Sequence, residues 1–256
     1  MAGNVISQLQ KVPLAEPQPH IFSSWSSPAV PYSGFASQDF LLGAGMVILQ
    51  PSSNRVVVVY DSRTKEYFLP RGRKDLGESL EQTALREAYE ESGYKAEHMR
   101  LFKPTHQPLS PQDPSASSNG PRLNSEPLYI TVDSWAPKSR NGRVIDSGGE
   151  YFVFWYLGYI GADAVSSYTT PSFCGIYSIR QIQVHVPGTG MPDEKTFSAA
   201  LYTIKDAKGL LFKNERKVLD YAWAVYAEHH RYLDTLKLIE KSKKDEKSGS
   251  KLTPSK

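Results

Sequence analysis

The chain has 256 residues, and its 30 Lys and Arg against 27 Asp and Glu leave a net charge of +3. That length builds one full hydrophobic core with extensions, and so slight a positive excess excludes nucleic-acid binding through bulk charge alone. The single cysteine, Cys174, excludes an intrachain disulfide and a thiolate metal cage, while the runs Phe40 to Leu49 and Tyr151 to Ala162 are too short to span a bilayer and the N-terminus shows no basic-then-apolar signal pattern, so a soluble, cytoplasmic protein is expected.

Residues 1–39 mix Pro, Ser and Gln with isolated aromatics such as Phe22, Trp25, Tyr32 and Phe35. They read as a partly ordered N-terminal extension, followed by one domain over residues 40–238. Phe40 to Leu49 and Arg55 to Asp61 are apolar, β-branched runs separated by the turn cluster Pro51 to Asn54, which predicts two buried strands. Glu66 to Leu69 predicts a short third, stopped by Pro70. There follows Arg71-Gly72-Arg73-Lys74, three cations around a glycine. Arg71, Arg73 and Lys74 are candidate ligands for a run of phosphates, through arginine forks and a lysine point charge. The alternative is an exposed basic loop that balances the acidic segment behind it.

That segment begins with Ser79 and Gln82, a capping box, continues without Pro or Gly from Leu80 to Ser92, and ends on Gly93, which suits the left-handed residue closing a helix. At about 100° per residue, Glu87, Glu90 and Glu91 share one face, and Leu85, Ala88 and Tyr89 lie roughly opposite. One face buried and the other acidic is the expectation. Carboxylates crowded in this way repel one another unless a cation sits among them, and hard oxygen donors favour Mg²⁺ or Mn²⁺. Arg86 is expected to pair with a neighbouring carboxylate or with Glu78.

Ala96 to Pro104 predicts another strand, and His106 to Pro127, rich in Pro, Ser, Asn and Gly, an insertion loop. Leu128 to Trp135 and Tyr151 to Ile160 read as strands joined by a polar turn region, Lys138 to Gly149. Ser172 to Val184 reads as the last strand region. Thr196 to Leu211 and Glu215 to Leu238 carry helical patterns, the second with an apolar stripe through Val218, Ala222, Val225 and Tyr226. His229 and His230 read as packing or surface residues. From residue 239 the chain is a lysine-rich, disordered tail, with a nuclear address or an anionic partner as the alternative.

The order Gly72, five residues, Glu78, seven residues, Arg86-Glu87, Ala88, Tyr89, Glu90-Glu91, Ser92, Gly93, Tyr94 resembles the box of the Nudix hydrolase family at every charged and glycine position. Ala88 is small for its place, which predicts looser helix packing, and Tyr94 is aromatic where an aliphatic residue is usual. The resemblance implies an α/β fold, an α/β/α sandwich with a mixed central sheet, and divalent-metal-dependent hydrolysis of a phosphoanhydride. It implies Gly72, Glu87, Glu90 and Glu91 as metal ligands and a glutamate as base, here Glu90 with Glu87 as runner-up. Glu150 or Glu194 is the candidate for a further carboxylate outside the box. The Pro-basic-Gly approach is similar to the branches acting on dinucleoside polyphosphates, diphosphoinositol polyphosphates and capped RNA. The first two classes lead. Nucleotide sugars and capped RNA stand behind them, since no contiguous basic-aromatic strip predicts an RNA path. A non-catalytic Nudix-like module that senses a nucleotide or binds a protein is the alternative of a different class.

Overall fold

The computed structural model describes residues 25, 33–108, 110, 112, 122–163, 189–190 and 195–249. The strand expected at Ser172 to Val184, most of the N-terminal extension and Glu194 lie outside the described residues. Residues 1–33 group as one unit, of which Trp25 and Ser33 are described and exposed, and residues 34–256 as another.

The larger unit begins with β1 (Phe40–Gln50), β2 (Arg55–Asp61), β3 (Glu66–Phe68) and β4 (Arg71–Arg73), followed by α1 (Leu80–Ser92). After it come β5 (Glu97–His98), β6 (Leu101–Lys103), β7 (Arg122–Asn124), β8 (Tyr129–Trp135), β9 (Lys138–Arg140), β10 (Arg143–Asp146) and β11 (Gly149–Tyr159). Strand β12 (Phe197–Thr203), α2 (Ile204–Leu210) and α3 (Lys213–Gly249) complete it. The main sheet runs β12-β2-β1-β11-β5, with β3 paired to β2, β4 to β1 and β8 to β11. Strands β1 and β11 are parallel from Phe40 opposite Glu150 to Leu49 opposite Tyr159, whereas β4 lies antiparallel on Gly43 to Gly45. The sheet is therefore mixed.

Alternation along β1 explains the layers. Ala44, Met46 and Ile48 face α1 through Ala84 and Ala88, while Val47 and Leu49 face α2 and α3 through Ala207, Val218, Leu219 and Ala222. A strand buried on both faces reads as a continuous apolar run, which is how this one was written. The α/β/α sandwich expected from the box is the fold of the molecule. Ala88 is fully buried, so its small side chain brings α1 close to the sheet rather than loosening it.

Four local readings change. Residues 197–203 form β12, antiparallel to the whole of β2, where a helix was expected. The period of two is present in Phe197, Ala199 and Leu201, which pack in the α1 layer, and pairing along β2 overrides the helix preference of Ala199 and Ala200. Between β8 and β11 the polar stretch is a hairpin, β9 to β10, turning on Asn141 (φ 52°) and Gly142 (φ 72°), the left-handed pair that a two-residue hairpin favours. The insertion contains β7, paired to β6. Helix α3 continues to Gly249, through the start of the expected tail. His229 is a packing residue: it is buried, its Nδ1 accepts from the Phe102 N–H at 3.0 Å, and its ring stacks on Phe102.

Candidate functional site

The site is assembled where β4 and α1 meet. Ser79 caps the helix reciprocally with Gln82, and Gly93 closes it at φ 71°. These ends fix which residues of α1 face β4. The buried positions are Thr83, Ala84, Glu87, Ala88 and Ser92, so Glu87 belongs to the buried side and the expected clean division into an apolar and an acidic face does not hold. The cause lies in β4. Gly72 has no side chain, and a Cβ there would stand 2.0 Å from Glu87 Cδ, so the carboxylate occupies the space the glycine leaves. Gly43 repeats the device one strand away: its Cβ would stand 2.4 Å from the Gly72 carbonyl and 2.3 Å from the Tyr151 hydroxyl.

A cation does sit among the carboxylates, and it is Arg86. Its Nε and Nη2 bond both oxygens of Glu78 at 2.9 and 3.0 Å, its Nη1 bonds Glu87 and Glu90 at 2.7 Å each, and Nη2 also donates to the Arg73 carbonyl at 2.9 Å. This fork pushes the Glu78 carboxyl down to about 2, assisted by the Thr83 hydroxyl and despite partial burial, and the three glutamates hold the guanidinium above its ordinary value. Glu91 takes a different partner, accepting from the Arg71 N–H at 2.7 Å.

The candidates for phosphate binding separate. Arg71 forms a close ion pair with Glu215 of α3 and lies over the Trp155 ring at 5.8 Å, while the other Glu215 oxygen accepts from the Leu69 N–H at 2.8 Å. Burial pushes the Glu215 carboxyl up, against the pull of Arg71. Arg73 is exposed, and Lys74 reaches the Asp75 carbonyl at 3.0 Å. Two residues join the site that sequence reasoning missed, Glu215 and Tyr151. Burial pushes the Tyr151 phenol up to about 12, eased by Arg71 and reinforced by Glu87 and Glu91, so it stays protonated at neutral pH. Neither carried a local signal, because each meets the box only through the folded chain. Glu150 opens β11 opposite Phe40, and both its oxygens accept from Ser134.

Among the described residues, no three His, Cys, Asp or Glu side chains are gathered into a metal cage. Mg²⁺ needs none, since it keeps several waters and takes one or two carboxylates together with substrate phosphate. The donors present, Glu87 wedged against Gly72 and Glu91 a helical turn further on, are hard oxygens and fit such an ion.

Residues 39–159 match the family model described as NUDIX domain. Residues 39–159 thus carry a Nudix domain with its box intact, of a family generally dependent on divalent metal. Among solved structures, it is similar to a Nudix hydrolase from Nitrosomonas europaea (16% identity, 72% of this chain and 90% of that one, TM-score 0.36). It is also similar to a C. elegans Ap4A hydrolase (14%, 73% and 98%, 0.38) and to a Nudix-family hydrolase from Clostridium perfringens (14%, 72% and 96%, 0.40). Identities and TM-scores this low carry no argument about what this chain cleaves. No helix among the described residues is long and apolar enough to cross a membrane.

Proposed function

We propose that the protein hydrolyses a phosphoanhydride bond in a nucleoside-diphosphate-linked or polyphosphate substrate, with dinucleoside polyphosphates and diphosphoinositol polyphosphates leading, using Mg²⁺ or Mn²⁺ in a reducing, cytoplasmic setting. What supports this reading is the gathering of Glu87, Glu90 and Glu91 on one helix against a glycine strand, with Arg86 orienting two of them. Glu87, Glu91 and the Gly72 carbonyl are the proposed metal ligands. When bound, the cation supplies charge neutralisation of the diphosphate and acidification of a water.

The chain's own residues do the rest. Glu90 accepts the proton of the attacking water; its side chain is 25% exposed against 8% for Glu87, so water reaches it more readily. Arg86 holds Glu90 at 2.7 Å and keeps it aimed. Arg73 and Lys74 bind phosphate oxygens at the mouth. Arg71 is drawn inward and balanced by Glu215, and uses its backbone N–H to hold Glu91.

Turnover of dinucleoside polyphosphates, inositol pyrophosphates, nucleotide sugars and capped RNA, each with Mg²⁺ and Mn²⁺, tests the reading. Glu91→Gln is expected to lower kcat by about 100-fold or more while circular dichroism stays unchanged. Near-parental turnover by a folded Gln variant would remove Glu91 from the metal set.

A further inference from the structure

A cleft of about 230 Å³ opens beside the box, reached by Arg71 and Glu91 and walled by the aromatic rings of Phe68, Phe197 and Phe212. Phe68 and Phe197 already meet edge to face, with centroids 5.2 Å apart. Phe212, in the short link between α2 and α3, is 59% exposed although its neighbour Leu211 is buried. A large aromatic side chain is thus left with accessible surface at the border of a cleft.

The polar lining identifies what the cleft accepts. Among the described residues, Asp61, Glu66, Glu91 and Glu215 are acidic, Thr64 and Tyr67 are neutral, and the cation, Arg71, is balanced by Glu215. Beyond Glu91, which the proposed cation shares with the diphosphate, a moiety crowded with phosphates meets the carboxylates of Asp61 and Glu66 and is repelled. A neutral heteroaromatic ring with N–H donors meets flat apolar faces and acceptors. Asp61 is satisfied by the Arg63 N–H at 2.9 Å and Thr196 at 2.7 Å, and Glu215 by Arg71 and Leu69. Glu66 is exposed, and its carboxylate has no hydrogen-bond or ion-pair partner among the described residues, which leaves it open to a donor edge. The volume is below the roughly 300–1,000 Å³ of sites for drug-sized ligands, so it matches one ring system, with the sugar and phosphates outside.

We propose that this cleft seats the nucleobase of a nucleoside-diphosphate-linked substrate, stacked on Phe212 and hydrogen-bonded through its amino edge to Glu66, so that the attached phosphoanhydride runs past Arg71 to the box. The proposal rests on the pyrophosphohydrolase reading and selects within it: a nucleoside substrate, and not a diphosphoinositol polyphosphate.

Nucleosides test the cleft without metal or hydrolysis. Saturation-transfer NMR and calorimetry with adenosine and guanosine, and separately with inositol hexakisphosphate, are carried out on the full chain and on Phe212→Ala, Phe212→Trp and Glu66→Gln. Nucleoside binding should weaken about tenfold in Phe212→Ala, survive in Phe212→Trp, and weaken in Glu66→Gln. In kinetics with a nucleotide substrate, KM should rise by a similar factor while kcat changes less than twofold. Equal nucleoside affinity in the parent and Phe212→Ala, or no nucleoside binding where inositol hexakisphosphate binds, overturns the proposal. Phe212-dependent nucleoside binding in a protein that cleaves no phosphoanhydride with either cation would leave the cleft assigned and defeat the hydrolase reading instead.

Discussion

Arg86 shows how a single side chain organises a charged site. Five hydrogen bonds leave its guanidinium, four to carboxylate oxygens and one to the Arg73 carbonyl. The forked geometry makes this an arginine position that lysine cannot fill. Glu78 carries the consequence for pH. Its carboxyl lies near 2 in the folded chain against 4.5 ordinarily, so its contribution to stability is complete above about pH 4.5 and is lost as pH falls toward 2. Allowing for solvent screening at a partly exposed pair, that contribution is of the order of 1–2 kcal/mol. Urea unfolding of Glu78→Gln should show this deficit at pH 6 and a shrinking one at pH 3. The Arg86 and Glu78 pairing was legible in the spacing of the box, because both residues lie in or just before one helix. Tyr151 was not legible, since it comes to Gly43 from the neighbouring strand β11, which pairs beside β1.

Between elements, the tie from α3 to β4 matters most. Glu215 holds Arg71 by its side chain and the strand before it by the Leu69 N–H, and the Arg71 backbone in turn holds Glu91. Helix α3 therefore sets the strand on which Gly72 sits, across 144 residues of sequence. Glu215→Leu should destabilise by about 3–5 kcal/mol, because it leaves a half-buried guanidinium unpaired, and adding Arg71→Met should return part of that loss. A double-mutant cycle by urea unfolding, with Arg71→Met alone as its fourth corner, checks both numbers; a loss in the double variant equal to the sum of the two single losses would show that the pair is not coupled. The same scale is where the reading of residues 197–203 failed. Intrinsic preference pointed to helix, and seven paired positions along β2 decided otherwise.

At the scale of the whole molecule, α1 and the α2–α3 pair cover opposite faces of one sheet, and the binary pattern of β1 and β2 announced that both faces would be covered. Strand order was not announced: nothing local tells β1 to lie between β2 and β11. Helix α3 divides in two on burial. Glu215, Val218, Leu219, Ala222, Val225, Tyr226 and His229 are buried, while Lys237 to Lys244 are exposed throughout. Ending the chain after Lys241 should therefore change unfolding free energy by less than about 0.5 kcal/mol and leave kcat/KM at its parental value. A loss of several kcal/mol would mean that the distal part of the helix has a packing partner.

The position of β12 has a practical meaning for anyone cutting the gene. The stretch that matches the family ends at Tyr159, yet the strand that covers the β2 edge and the helices that roof one side of the sheet are encoded after it. A fragment trimmed to the matched stretch would be born with a bare hydrophobic side and a raw strand edge, a recipe for inclusion bodies. Transplanting β4 and α1 into another scaffold would likewise leave Glu215 behind. The practical unit of expression or grafting runs from the start of β1 through the buried part of α3.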